Sequence, residues 1–183
     1  MLTAISIRNF KNLKEADIEL GNSVVFIGPN NSGKTTALQA IALWNIGAQK
    51  WNAKRAGKKT APEKRPGVTI NRNDLISIPV PSANLLWNDL HVRNVDKNNG
   101  KQITQNIRIE ITVSGINEGK KWSRGFEFDY ANEESFYCRP LRLPSESGAA
   151  QRMIVPPEST HIKIAYLPPM SGLATTEPKW EPG

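Results

Sequence analysis

Positions 28–35 read Gly-Pro-Asn-Asn-Ser-Gly-Lys-Thr, a spacing that leaves the backbone few options. Gly28 and Gly33 permit tight turns and close approach of the main chain. A loop of this kind closes successive amides around one point and forms a nest for an anion. A helix starting at Lys34 would aim its N-terminal partial charge at the same anion. The flanks agree. Val24-Val25-Phe26-Ile27 is a continuous apolar run bounded by Gly21 and Gly28, the pattern of a strand buried on both faces. From Lys34 to Gly47, Ala37, Leu38, Ile41 and Ala42 recur at helical spacing, with Gly47 as the expected stop. Strand, glycine-rich loop and helix together make a polyphosphate cradle. Its expected parts are Gly28, Pro29, Asn30, Asn31, Ser32 and Gly33 as the wrap, Lys34 as the catalytic cation on the β- and γ-phosphates, Thr35 as the Mg²⁺ ligand, and Thr36 near the α/β-phosphates. ATP and Mg²⁺ are the implied ligands.

The rest of the chain is consistent with one core. Ile5 to Phe10 and Ala16 to Leu20 alternate apolar and polar residues around Lys11-Asn12-Leu13-Lys14-Glu15, which predicts a hairpin. The 68–93 stretch has no clear period and is broken by Pro79 and Pro81. Beyond it, Ile107, Ile109, Ile111 and Val113 alternate with polar residues, Asn117-Glu118-Gly119 is turn chemistry, and Trp122–Tyr130 and Phe136–Cys138 continue an antiparallel meander. His161 to Leu167 reads as a last strand, stopped by Pro168-Pro169. Of a net charge of +7, the residues 48–66 carry seven cations, Lys50, Lys54, Arg55, Lys58, Lys59, Lys64 and Arg65, against Glu63 alone. With Gly57, Pro62 and Pro66 interspersed, this reads as a mobile cationic loop able to release counterions from a phosphate backbone; it reads equally as a solvated insertion.

Several classes are excluded or weakened. No apolar stretch approaches the ~18 residues of a membrane span, and the N-terminus lacks a signal-peptide core. One cysteine, Cys138, rules out an internal disulfide framework and fits a reducing, cytoplasmic setting. One cysteine and two histidines do not supply a common zinc site. Trp44, Trp51, Trp87, Trp122 and Trp180 read as core or interface residues, Trp51 being the one placed to stack on a base. His91 and His161 read as structural, Asp129, Glu133 and Glu134 as ordinary acids of a hairpin turn, and Cys138 as a small buried hydrophobe.

Ile5-Ser6-Ile7-Arg8-Asn9-Phe10-Lys11, then Ile18-Glu19-Leu20, then Val25 through Ile41 with its Gly-Pro-Asn-Asn-Ser-Gly-Lys-Thr-Thr centre, resembles the N-terminus of the SMC/RecF/OLD group of ABC-type ATPases. The match is close over residues 3–45. The resemblance implies an α/β P-loop NTPase, the N-terminal lobe of an ABC-ATPase-type head, with a mixed sheet and an antiparallel β meander. It divides the chain into a hairpin and phosphate-loop unit (1–47), a basic insertion (48–67), the rest of the lobe (68–170) and a tail (171–183) where a truncation would fall. It places residues Arg8 to Asn12 near the nucleotide and implies a homodimer of heads closed on ATP, DNA as a partner, and a nuclease domain or subunit. It leans towards repair, genome maintenance or anti-phage defence. Heads of this kind also need a Leu-Ser-Gly-Gly-Gln signature and four apolar residues leading into Asp-Glu; neither string occurs, and no glutamine matches the expected Q-loop. The expectation is a lobe that binds ATP and needs a second lobe to hydrolyse it. An ATP-switched clamp without turnover is the alternative. A P-loop kinase is a further one, disfavoured by the hairpin that precedes the loop.

Overall fold

The computed structural model describes residues 1–55, 65–98, 101–144 and 150–167. The expected hairpin is β1 (Leu2–Phe10) and β2 (Leu13–Glu19), joined by Lys11 and Asn12 alone, with Lys11 at φ 49°. Helix α1 spans Lys34–Arg55. Then follow β3 (Val68–Asn71), a two-stranded ribbon of β4 (Arg93–Asn98) and β5 (Lys101–Asn106), and the meander β6 (Ile109–Asn117), β7 (Lys120–Asn132) and β8 (Ser135–Pro140). Two short strands, β9 (Arg142–Leu143) and β10 (Gln151–Arg152), pair with each other. The main sheet has the order β2-β1-β6-β7-β8-β3, and its pairings among the described residues are antiparallel.

Period-2 alternation and register together build the core. Ile7 stands opposite Ile111, and Ile111 opposite Phe126. Ile109, Phe128, Cys138 and Val68 form a parallel row across β6, β7, β8 and β3. All are buried, and α1 lies on them. The buried residues of α1 are Thr36, Ala37, Ala40, Ala42, Leu43, Trp44, Gly47, Ala48 and Trp51. Leu38, expected among them, is 42% exposed. Gly47 does not stop the helix. A Cβ there would lie 3.0 Å from Cys138 Sγ and 3.1 Å from the Phe128 ring, so this glycine lets helix and sheet meet. The buried set is aromatic: Trp44 stacks on Trp122 at 6.3 Å, and Phe128 and Phe136 meet edge-on at 6.0 Å.

Three sequence expectations are corrected here. Val24–Ile27 forms no strand and pairs with none among the described residues, and Val25 and Ile27 are 80% and 91% exposed. The run has strand composition, yet no neighbouring strand offers it hydrogen bonds. His161–Leu167 fares likewise. His161 ends a short 3₁₀ turn (Pro157–His161), and Ile162, Ile164 and Tyr166 rest on the core from a segment outside any ladder. Third, residues 48–55 are the last turns of α1 rather than loop. Their helical pattern is hidden by polar residues, of which Gln49 and Lys54 are exposed and Lys50 pairs with Asp74, while Ala48 and Trp51 face inward. Trp51 is 2% exposed and offers no face to a base.

Candidate nucleotide site

The phosphate loop is set by two neighbours. Gly33, at φ 91°, passes so close to β2 that a Cβ would lie 2.7 Å from Leu13 Cδ2. Asn12, in the β1–β2 turn, donates its Nδ2 to the Asn31 carbonyl at 3.0 Å. Asn31 itself takes φ 64°, a left-handed position that asparagine tolerates better than most residues. The turn is held in place in its own right. Lys11 donates its amide to the Leu86 carbonyl (2.9 Å) and its Nζ to Gln39 Oε1 (2.7 Å), while Asn88 Nδ2 donates to the Lys11 carbonyl (2.6 Å). Burial holds the Lys11 ammonium below its ordinary range.

Lys34 begins α1, and the Ala37 amide closes the first helical ring on the Gly33 carbonyl at 2.8 Å. The amides before Ala37 have no intrahelical acceptor and remain available to an anion. Lys34 Nζ donates to the carbonyls of Gly28 (2.7 Å) and Pro29 (2.6 Å) and reaches Ser32 Oγ at 3.4 Å. The loop thus curls around its own ammonium. Asn30, Asn31, Ser32, Thr35 and Thr36 join Lys34, Gly33 and Asn12 around a polar hollow of about 290 Å³. Thr35 is exposed on it, whereas Thr36 is largely buried. The donor set suits a polyphosphate with a hard cation: backbone amides and an ammonium for the anion, and an accessible hydroxyl for Mg²⁺. All nine residues expected from sequence, Gly28 to Thr36, lie at this one loop and helix start.

Of the stretch Arg8 to Asn12, Asn12 alone is seen to touch the loop. Arg8 turns to the other face of the sheet and forks onto Asp17 at 2.9 and 3.0 Å. Leu13 and Gln39 are the supporting residues that sequence reading passed over, being ordinary in type. Four of the seven cations expected to meet DNA fall within the described residues. Lys50 Nζ pairs with Asp74 at 2.7 Å, Arg55 donates to the Pro66 carbonyl at 3.3 Å, Arg65 donates to the Arg55 carbonyl at 3.1 Å, and Lys54 is exposed. Lys58, Lys59 and Lys64 lie outside the described residues. Asp129, expected at a turn, is 6% exposed within β7, where Arg139 pairs with it at 2.9 Å. Among the described residues no group of His, Cys, Asp and Glu could hold a metal ion, and no helix is long and apolar enough to cross a membrane.

Comparison with known proteins follows the same line. The AAA ATPase domain family matches residues 1–135. The OLD nuclease of Thermus scotoductus is 44% identical over 43 residues, 24% of this chain and 8% of that protein. The DNA replication and repair protein RecF of Yersinia enterocolitica is 27% identical over 168 residues, covering 84% of this chain and 46% of the relative. RecF of Yersinia pseudotuberculosis matches to the same extent. The chain therefore spans about half the length of the RecF relatives it matches. A phosphate loop braced by a hairpin turn, and a family match over most of the chain, lead to one assignment: the chain belongs to the AAA ATPase domain family and resembles the N-terminal region of ATPases of the SMC/RecF/OLD kind.

Proposed function

We propose that this chain is the nucleotide-binding lobe of an ATPase that acts on DNA in repair, genome maintenance or anti-phage defence. The observation that carries the reading is the braced loop. Asn12 and Leu13 fix its shape, and Lys34 with the first amides of α1 faces a polar hollow of polyphosphate size. In this reading residues 28–33 wrap the phosphates, Lys34 exchanges the Gly28 and Pro29 carbonyls for phosphate oxygens, and Thr35 holds Mg²⁺. The bound ion would supply charge neutralisation at the β- and γ-phosphates. The DNA replication and repair name of the RecF relatives and the nuclease name of the OLD relative favour DNA as the partner.

Turnover needs more than this lobe supplies. The chain has no apolar run leading into Asp-Glu and no Leu-Ser-Gly-Gly-Gln string. The unpaired Val24–Ile27 and Ile162–Leu167 segments support a second lobe whose strands would complete a parallel part of the sheet, within a longer polypeptide or on a partner subunit. ATP would then hold two such heads together as a homodimer, and hydrolysis would release them. The missing carboxylate pair equally favours a second reading, an ATP-switched clamp whose output is dimer geometry.

Equilibrium binding of Mg·ATP to wild type and Lys34→Ala tests the cradle. Binding that weakens at least tenfold in the variant supports it, and absence of binding at millimolar ATP removes it. In the longest natural form of the protein, ATP-dependent dimerisation without phosphate release would favour the clamp over the ATPase.

A further inference from the structure

Lys11 turns the β1–β2 hairpin with its backbone at φ 49°, a left-handed position that side chains resist and that glycine takes freely. A turn of this sequence does not favour that shape by itself. Both polar groups of the Lys11 main chain are instead gripped by one distant segment. Its amide donates to the Leu86 carbonyl (2.9 Å), and its carbonyl accepts from Asn88 Nδ2 (2.6 Å), 77 positions away. The next residue, Asn12, carries the bond to the Asn31 carbonyl that shapes the phosphate loop. Asn88 is thus linked to the loop through the two residues of one turn.

The segment that supplies Asn88 is anchored on one side and constrained on the other. Before it, buried Trp87 bridges to Phe10, donates Nε1 to the Ile107 carbonyl at 2.7 Å, and meets Tyr130 and Phe136 edge-on at 5.6 and 5.9 Å. After it, Asp89 and Leu90 are both left-handed, at φ 50° and 58°, and the His91 amide closes the turn on the Asn88 carbonyl at 3.0 Å. Aspartate tolerates such a position, but leucine does so at a cost, and Leu90, 54% exposed, gains little burial in return. Backbone strain of this kind persists where the surroundings over-determine it, and it clusters at ligand clamps. Between the Trp87 anchor and the strained turn, Asn88 is half-buried with its amide on Lys11. Asn84, on the same segment, accepts instead from Ser82 Oγ.

We propose that Asn88 is a positioning residue for the nucleotide: it fixes the Lys11 carbonyl and, through the turn, the Asn12 contact that sets the phosphate loop. This rests on the reading of the loop as an ATP site and adds to it a determinant far outside the glycine-rich motif. The test is equilibrium binding of Mg·ATP to wild type, Asn88→Ala, Asn12→Ala and the double variant, with each melting temperature measured without nucleotide. Asn88→Ala should weaken ATP binding by about three- to tenfold, the range of a lost neutral hydrogen bond. In the Asn12→Ala background the same change should weaken it by less than about twofold, because the path to the loop is already cut. Asn84→Ala should bind ATP as wild type does. A merely structural Asn88 gives another pattern: a lower melting temperature with ATP affinity unchanged, or losses of affinity that add in the double variant. Either result overturns the proposal while leaving the ATP site in place. Asn88→Asp keeps the shape but offers the Lys11 carbonyl an acceptor, and it repeats the test should the alanine variant not fold. Unfolding of both variants would assign Asn88 to the fold alone and overturn the role. If wild type binds no ATP, the underlying reading fails with it.

Discussion

Gly33 and Leu13 are in contact across the gap between the phosphate loop and the β1–β2 hairpin: a single added carbon on Gly33 would stand 2.7 Å from Leu13 Cδ2. The position also has φ 91°, which L side chains resist. Gly33→Ala should therefore be penalised by about 1–3 kcal/mol for the backbone and by a smaller amount for the clash, since the Leu13 methyl can swing aside. Urea unfolding should show the loss, and ATP titration should show a site that no longer closes. Adding Leu13→Ala should return the clash component and leave the backbone component. Strict additivity of the two substitutions in a double-mutant cycle would mean that the contact does not set the loop.

Lys34 makes its contacts with exposed loop carbonyls, so its removal should affect binding rather than folding. Lys34→Ala should lower ATP affinity by the worth of a charge-assisted contact, about 1.5–3 kcal/mol or roughly ten- to hundredfold. The denaturation midpoint should stay close to wild type. A large drop in the midpoint would show instead that the ammonium is a structural clasp for the loop.

The elements that were legible in the sequence are those whose partners lie nearby in the chain. The β1–β2 hairpin and the β6–β8 meander carry their period-2 pattern and their pairing partners within a few tens of residues. The phosphate loop is legible because its geometry requires particular residue types at fixed spacing. Val24–Ile27 misleads for the opposite reason: its composition states burial on two faces, and burial needs strands that the described fold does not place beside it. The end of α1 was hidden because Gly47 reads as a stop in one dimension and as a contact point against Cys138 in three. The bracing roles of Asn12, Leu13 and Gln39 depend on the path of the turn, which no local spacing encodes.

Gly47 supports a prediction whose sign separates two accounts. On helix propensity alone, Gly47→Ala would stabilise by about 1 kcal/mol. The added carbon, however, would sit 3.0 Å from Cys138 Sγ and 3.1 Å from the Phe128 ring, in a row that includes Ile109 and Val68. We expect net destabilisation by about 1–3 kcal/mol from overpacking. Cys138→Ala in the same chain should relieve part of it. Thermal or urea unfolding of the four-member cycle measures both effects, and a stabilised Gly47→Ala would show that helix and sheet can separate at no cost.

The outer face of the sheet gives a pH dependence. Glu15, Arg8, Glu110, Glu127 and Arg139 follow one another across β2, β1, β6, β7 and β8 in register. Two carboxylates are therefore direct neighbours. Glu127 is buried and paired with Arg152 at 2.9 Å. Partial burial, and then the charge of Glu127, push the Glu110 carboxyl above its ordinary 4.5, against the weaker pull of Arg108 and Arg8. A carboxyl whose folded value is raised binds its proton more tightly in the folded state. Its contribution therefore favours folding at low pH and is lost as pH rises from its ordinary value through the raised one. At neutral pH the ionised Glu110 is a net cost, and Glu110→Gln should raise the melting temperature there. The advantage should shrink as pH falls to 4 and below, where wild type regains its proton. A variant less stable than wild type at pH 7 would mean that the attraction of Arg8 and Arg108 outweighs burial and like-charge repulsion at this position.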